Sequence, residues 1–91
     1  MSGWVYIMTN KRNGVLYIGV TSNLHARVLQ HRNGEGSRFC QRYGLDRLVL
    51  VEEYPDIRDA IAREKAWKRA WKIELIEQSN PDWDDLSRFH L

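Results

Sequence analysis

Cysteine is almost missing from this 91-residue chain, where Cys40 stands alone. A single thiol excludes an intramolecular disulfide framework and any zinc site built from clustered cysteines. Long apolar runs are missing too. None approaches the ~20 residues that a bilayer-spanning helix requires, and Met1-Ser2-Gly3 opens no signal peptide. The expectation is a protein of the reducing cytoplasm without membrane contact. No phosphate-cradling glycine loop occurs, because Gly34-Glu35-Gly36 runs into Ser37 without a matching helix signature. His25, His31 and His90 lack finger-like spacing to Cys40. A large charge of one sign is also absent. Fourteen Lys and Arg against twelve Asp and Glu leave +2, a sum that names no polyanionic partner. The length admits one domain, residues 1–91, with no internal repeat, linker or low-complexity stretch.

What the chain does hold is aromatic residues and a patterned charge. Ten aromatics, four of them Trp, can supply a compact core. Residues 1–10 carry no charged side chain, whereas residues 11–47 carry a net +5. Residues 48–57 contribute −3, residues 58–72 return to +4, and residues 73–91 fall to −4. Two basic blocks separated by acidic ones are compatible with one positive face and an acidic back, and equally with solvated helix surfaces.

Trp4–Met8 and Val15–Val20 are β-branched and aromatic runs separated by turn chemistry that ends in Asn13-Gly14, the pattern of a β-hairpin. Tyr6 and Tyr17 share a face if cross-strand partners have numbers of odd sum. A loop centred on Lys11-Arg12 sets them opposite each other, and a tight Asn13-Gly14 turn slides them apart on that same face. Thr21, Ser22 and Asn23 are candidate caps for a helix that stops at Asn33-Gly34, with Arg27 and His31 as i,i+4 neighbours. Residues 35–45 read as a loop with a short helix around Phe39 to Tyr43. Leu48–Val51 suits a central strand. A long helix begins near Asp56 and runs to about Trp71, or further after a break since Ile73–Glu77 keeps helical spacing, with Ile57, Ala60, Ile61, Trp67 and Trp71 on its apolar stripe and Glu64 in the middle of it. A carboxylate there costs several kcal/mol, on the order of the effective ion penalty, unless it is paired, for instance with Arg27, or bound to metal.

Tyr6, Tyr17, Arg27, His31 and Glu64 thus form a set without a nucleophilic Ser or Cys arrangement. A lone carboxylate can hold Mg²⁺, which keeps most of its waters. A guanidinium neutralises a phosphodiester, and a phenol near cations can act as a base. Phosphodiester hydrolysis is the reaction these parts suit best. Each has a structural alternative: tyrosines pack well in strands, and Arg27 with His31 can be surface decoration.

In order along the chain, Val5-Tyr6, Tyr17-Ile18-Gly19, Arg27, His31, Glu64 within Ala62-Arg63-Glu64-Lys65, and Asn80-Pro81 resemble the signature of the GIY-YIG nuclease superfamily, particularly its small stand-alone bacterial members. The resemblance covers essentially the whole chain. It implies an α+β fold, a three-stranded antiparallel sheet flanked by helices, with the site on one sheet face. It further implies a divalent-metal-dependent endonuclease acting on nucleic acid, DNA ahead of RNA, in repair or recombination. Glu64 would bind one Mg²⁺ or Mn²⁺, and Tyr6 would be the general base with Tyr17 positioning water. Arg27 would stabilise the transition state, His31 and Asn80 would orient the site, and Gly19 would permit close backbone approach. Arg27, Arg32, Lys65 and Lys68 would contact the nucleic acid, and a protein partner would supply specificity. The family's first glycine is replaced by Trp4, which leaves a non-catalytic binding module or an interaction domain on the same scaffold as the alternative.

Overall fold

A computed structural model describes residues 1–35 and 38–90, so Gly36 and Ser37 of the predicted loop lie outside the described residues, as does Leu91. The elements are β1 (Gly3–Thr9), β2 (Leu16–Thr21), α1 (Leu24–Arg32), α2 (Arg38–Tyr43), β3 (Arg47–Tyr54), α3 (Ile57–Arg69), α4 (Lys72–Ser79) and α5 (Ser87–His90). This is the α+β architecture with a three-stranded antiparallel sheet that the sequence led us to expect. No helix among the described residues is long and apolar enough to cross a membrane.

The β1–β2 hairpin closes through Asn13 in the left-handed region (φ 57°) and a Gly14 N–H that donates to the Lys11 carbonyl at 2.9 Å. Asn10 Oδ1 accepts from the Val15 N–H at 3.1 Å and finishes the turn. The register pairs Tyr6 with Gly19 and Met8 with Tyr17. This lies between the two registers weighed from the sequence and keeps both tyrosines on one face.

The strand order is β2-β1-β3, so β1 is central and β3 is not, contrary to the reading of its apolar run. The run is apolar because both sheet faces are covered, which gives even an edge strand two buried sides. A register shift opposite Ile7/Met8 turns Val49 and Leu50 to the same side. That side, with Val5 and Ile7, packs on Ala60 and Trp67 of α3, Ile76 of α4, and Trp83. The other side, with Tyr6, Met8 and Leu48, packs on Leu24 and Val28 of α1, Cys40 of α2, and Leu45. Burial of each such large side chain contributes about 1.5–3 kcal/mol.

The outer edge of β3 is closed by the C-terminal segment, where the Leu86 N–H donates to the Leu48 carbonyl at 2.7 Å and Asn80 Nδ2 donates to the Val49 carbonyl at 3.0 Å. No comparable cover lies on the outer edge of β2 among the described residues.

Asn23 caps α1 by accepting from the Ala26 N–H at 3.1 Å, and Asp56 caps α3 by accepting from the Arg58 N–H at 2.9 Å. The predicted long helix breaks at Ala70, whose ψ of 166° is extended. Trp67 is 1% exposed, but Trp71 beyond the break is 71% exposed and Ile61 is 40% exposed, so neither belongs to the core stripe assigned from the sequence. An i,i+4 pair shares a face only while the helix continues, and the extended residue swings Trp71 outward.

Candidate active site

Gly19 and Tyr6 are cross-strand partners, and the ring of Tyr6 lies across the glycine. A Cβ at position 19 would stand 2.5 Å from Tyr6 Oη and 2.6 Å from Cζ, so only glycine leaves the phenol its place. The sequence reading had Gly19 admit a close backbone approach. What it admits in this structure is the tyrosine side chain.

Tyr6 is 1% exposed, and its Oη lies 3.3 Å from Nε2 of His31, about two turns into α1 from its cap at Asn23. Tyr17 completes a triangle of rings. Centroids are 6.4 Å apart for Tyr6 and Tyr17, 5.9 Å for Tyr6 and His31, and 5.7 Å for Tyr17 and His31. The pairs with His31 are edge-on, the arrangement that ring quadrupoles favour. Tyr17 is half-buried, nearer to solvent than Tyr6.

Burial pushes the Tyr6 phenol well above its ordinary 10.0, and the neighbouring Tyr17 adds to that. The Arg27 guanidinium acts against it, while Cys40 and the Glu64 carboxylate add to it in smaller measure. Burial, then the Arg27 charge, lowers His31 from 6.5, so the imidazole is neutral near pH 7. His31 Nδ1 is buried with no hydrogen-bond partner among the described residues. Five of the residues singled out from the sequence therefore act on one another here: Tyr6, Tyr17, Arg27, His31 and Glu64.

Glu64 lies between Ala60 and Trp67, both core residues of α3, but its carboxylate reaches the rim, with the side chain 21% exposed. Its ion-pair partner is Lys68 at 3.6 Å, one helical turn on, and not Arg27. The burial cost anticipated for this carboxylate is thus only partly incurred. Arg27, half-buried, makes no ion pair among the described residues.

Two residues sit elsewhere. Asn80 caps α4 and is 5% exposed; its Nδ2 donates to the carbonyls of Val49 and Asp84 at 3.0 and 2.9 Å, and its Oδ1 accepts from the Asp84 N–H at 3.0 Å. That side chain is fully committed to holding the 80–84 turn against β3. Arg32 donates to Asp85 Oδ2 at 2.7 Å and to the Ser87 hydroxyl, tying α1 to the C-terminal segment. Lys65 and Lys68 are exposed on α3. Trp4 is half-buried within an unbroken β1, paired with Thr21 and Glu53, and leaves Tyr6 undisturbed two residues on.

The sequence did not mark Phe39, 43% exposed, as part of the site. Its ring centroid lies 6.3 Å from Tyr17 and 4.9 Å from Tyr43, which extends the aromatic surface outward along α2. The available signal was an i,i+4 aromatic pair on a helix too short to bury it.

Among the described residues no three potential ligands converge as a metal cage. Glu64 alone fits an ion that keeps most of its waters and borrows oxygens from a substrate phosphate.

Comparison with known proteins bears on the family and the fold. The profile described as the GIY-YIG catalytic domain matches residues 2–74. A UPF0213 protein of Staphylococcus epidermidis is 32% identical over 78 residues, spanning 82% of this chain and 94% of that protein. One from Clostridium perfringens is 35% identical over 80 residues, 85% of each. A UPF0213 protein of Bacillus halodurans, solved by NMR in solution, superposes with a TM-score of 0.58 at 26% identity over 97% of this chain and 96% of that one. With the family profile matching most of the chain and relatives more than 30% identical over most of its length, the chain belongs to the GIY-YIG family of nucleases, as a small member similar to the UPF0213 proteins.

Proposed function

We propose that the chain is an endonuclease that hydrolyses phosphodiester bonds in DNA with one divalent cation, Mg²⁺ or Mn²⁺, in repair or recombination. The observation that carries this reading is the bond between the buried Tyr6 phenol and an imidazole held neutral, under the influence of Arg27 and Glu64.

Burial makes a resting phenolate unfavourable, so Tyr6 serves as a base only if its own proton can leave as it takes another. His31 provides the exit. With its proton on Nδ1, Nε2 is free to accept from Tyr6 Oη while Oη accepts from the attacking water. The phenol is neutral before and after, and the charge comes to rest on the imidazole. Tyr17, nearer to solvent, orients that water. The O–P bond forms from water, and the bond to the leaving oxygen breaks as Arg27 offsets the charge gathering on the phosphoryl oxygens. Glu64 is the residue that would hold the cation, whose chemistry is Lewis-acid stabilisation of the leaving oxygen. Asn80 acts at a distance, by fixing β3 and the turn beneath it. Contacts to backbone phosphates from Lys65 and Lys68 specify no sequence, so sequence choice would come from substrate structure or from a protein partner.

The test is cleavage of duplex, flap, fork and single-stranded DNA, with matching RNA, in Mg²⁺ or Mn²⁺ beside Glu64→Gln. Loss of cleavage by at least about a hundredfold is expected, with the fold and most of the DNA affinity retained. Undiminished cleavage by the purified variant would sink the assignment.

A further inference from the structure

A tryptophan left largely in water is an apolar surface without a partner, and Trp71 is 71% exposed. It lies in Arg69-Ala70-Trp71-Lys72, which follows the similar Lys65-Ala66-Trp67-Lys68. The earlier stretch buries its indole in the core, and the extended Ala70 turns the later one out. Segment 65–72 also carries Lys65, Lys68, Arg69 and Lys72 with no acidic residue. The Lys72 ammonium donates to the Lys68 carbonyl at 3.1 Å, which holds this cation beside the break.

The surface next to Trp71 leads back to the candidate active site. A cleft of about 360 Å³ is lined by Leu16, Tyr17, Phe39, Lys68 and Lys72 among others. A second hollow of about 210 Å³ shares Leu16 and Lys72 with it and reaches Trp71. Together they form one groove along the open edge of β2, with Tyr17 at one end and the exposed indole at the other. On its far side Trp71 borders Glu74, a carboxylate that disfavours a phosphate there.

We propose that this groove is a track for an unpaired nucleic-acid strand leaving the active site, with Lys68 and Lys72 on its phosphates and Trp71 stacked on a base. The inference rests on the nuclease reading above and adds to it where the strand runs and what grips it. Lys68 and Lys72, the two cations that line the groove, match a polyanion that would compete with Glu64 for Lys68, whereas a peptide adding to the β2 edge would need neither cations nor an exposed indole. In a duplex the base faces are already stacked, so an indole platform selects bases that are unpaired.

The experiment uses the full chain carrying Glu64→Gln, a fluorescein-labelled 15-nucleotide oligothymidylate in Mg²⁺, and a series of salt concentrations. Trp71→Ala is expected to weaken binding by about five- to tenfold at every salt, leaving the slope against salt unchanged, and Trp71→Phe restores most of it. Lys72→Gln instead flattens that slope by ~0.7, the share of one phosphate contact on a single strand. Binding of a blunt duplex is expected to be indifferent to Trp71→Ala. If Trp71→Ala binds the oligonucleotide like its parent, or changes only the oligomeric state in sedimentation, the groove is not a strand track and the inference fails. Cleavage by the wild-type chain in that case leaves the nuclease reading standing. A wild-type chain that neither binds nor cleaves nucleic acid overturns both.

Discussion

At the scale of single residues, Gly19 has little freedom to change. Tyr6 is packed between the Tyr17 and His31 rings, so it has no open side toward which to yield to a Cβ 2.5 Å from its hydroxyl. Gly19→Ala is therefore expected to cost about 1–3 kcal/mol by overpacking and to pull Tyr6 away from His31. Urea unfolding measures the first effect. The second should appear as a loss of cleavage of at least about tenfold in protein that is still folded, because a base out of hydrogen-bond reach transfers no proton. Cleavage at the wild-type rate would mean that the glycine serves the backbone and not the phenol. That Tyr6, Tyr17, Arg27, His31 and Glu64 form one set was legible in the sequence from their residue types and order, and the fold brings them within reach of one another. The reason for Gly19 was not legible, since it depends on which residue faces it across the hairpin.

At the scale of elements, Asn80 shows how a site residue inferred from sequence can belong to the scaffold. Its amide joins the C-terminal end of α4, the Val49 carbonyl of β3 and both backbone groups of Asp84. Val49 is the extra residue where β3 loses register with β1, so its carbonyl needs a donor from outside the sheet. We expect Asn80→Ala to destabilise the fold by about 2–4 kcal/mol, about 1 for each lost bond plus the cost of stranding buried backbone groups. Measured below its melting range, the variant should retain most of its cleavage activity. A large loss of kcat in fully folded protein would restore a catalytic role. The elements themselves were largely readable: the hairpin, a cap within Thr21-Ser22-Asn23, the stop at Asn33-Gly34 and the start of the long helix at Asp56 all carry local signals. A break near Trp71 with helix resuming beyond it was readable, but its place at Ala70 was not, since alanine is a good helix former and nothing adjacent to it opposes a helix.

At the scale of the whole molecule, the two-sided core fixes how stability responds to acid. His31 lies 7% exposed against Tyr6 and within the field of Arg27, and both its burial and that charge disfavour its protonation. Its folded pKa lies below 6.5, so the unfolded chain takes up the proton first. Stability is then undiminished above about pH 7, falls as pH drops through the unfolded value, and levels off below the folded one. Asp85 behaves separately: held below 3.8 by its bonds to Ser87, Leu48 and Arg32 against the cost of burial, it contributes stability that is present above the unfolded value and lost as pH falls from there through the lower folded one. Urea midpoints should therefore decline as pH falls below about 7 through the unfolded value, and His31→Gln, which cannot titrate, should flatten that decline while leaving the one below about pH 4. An unchanged decline in the variant would place the responsible group elsewhere.

Local sequence determined the element types, their caps and the set of chemically able residues, because turn residues, periodicity and capping act over a few positions. Only the tertiary structure decided that β1 is central, that Trp71 faces water while Trp67 is buried, that Glu64 reaches the rim beside Lys68, and that Asn80 supports β3. Each of these depends on which surfaces meet across the sheet. That is settled by burying both faces at once, a condition that no short window of sequence contains.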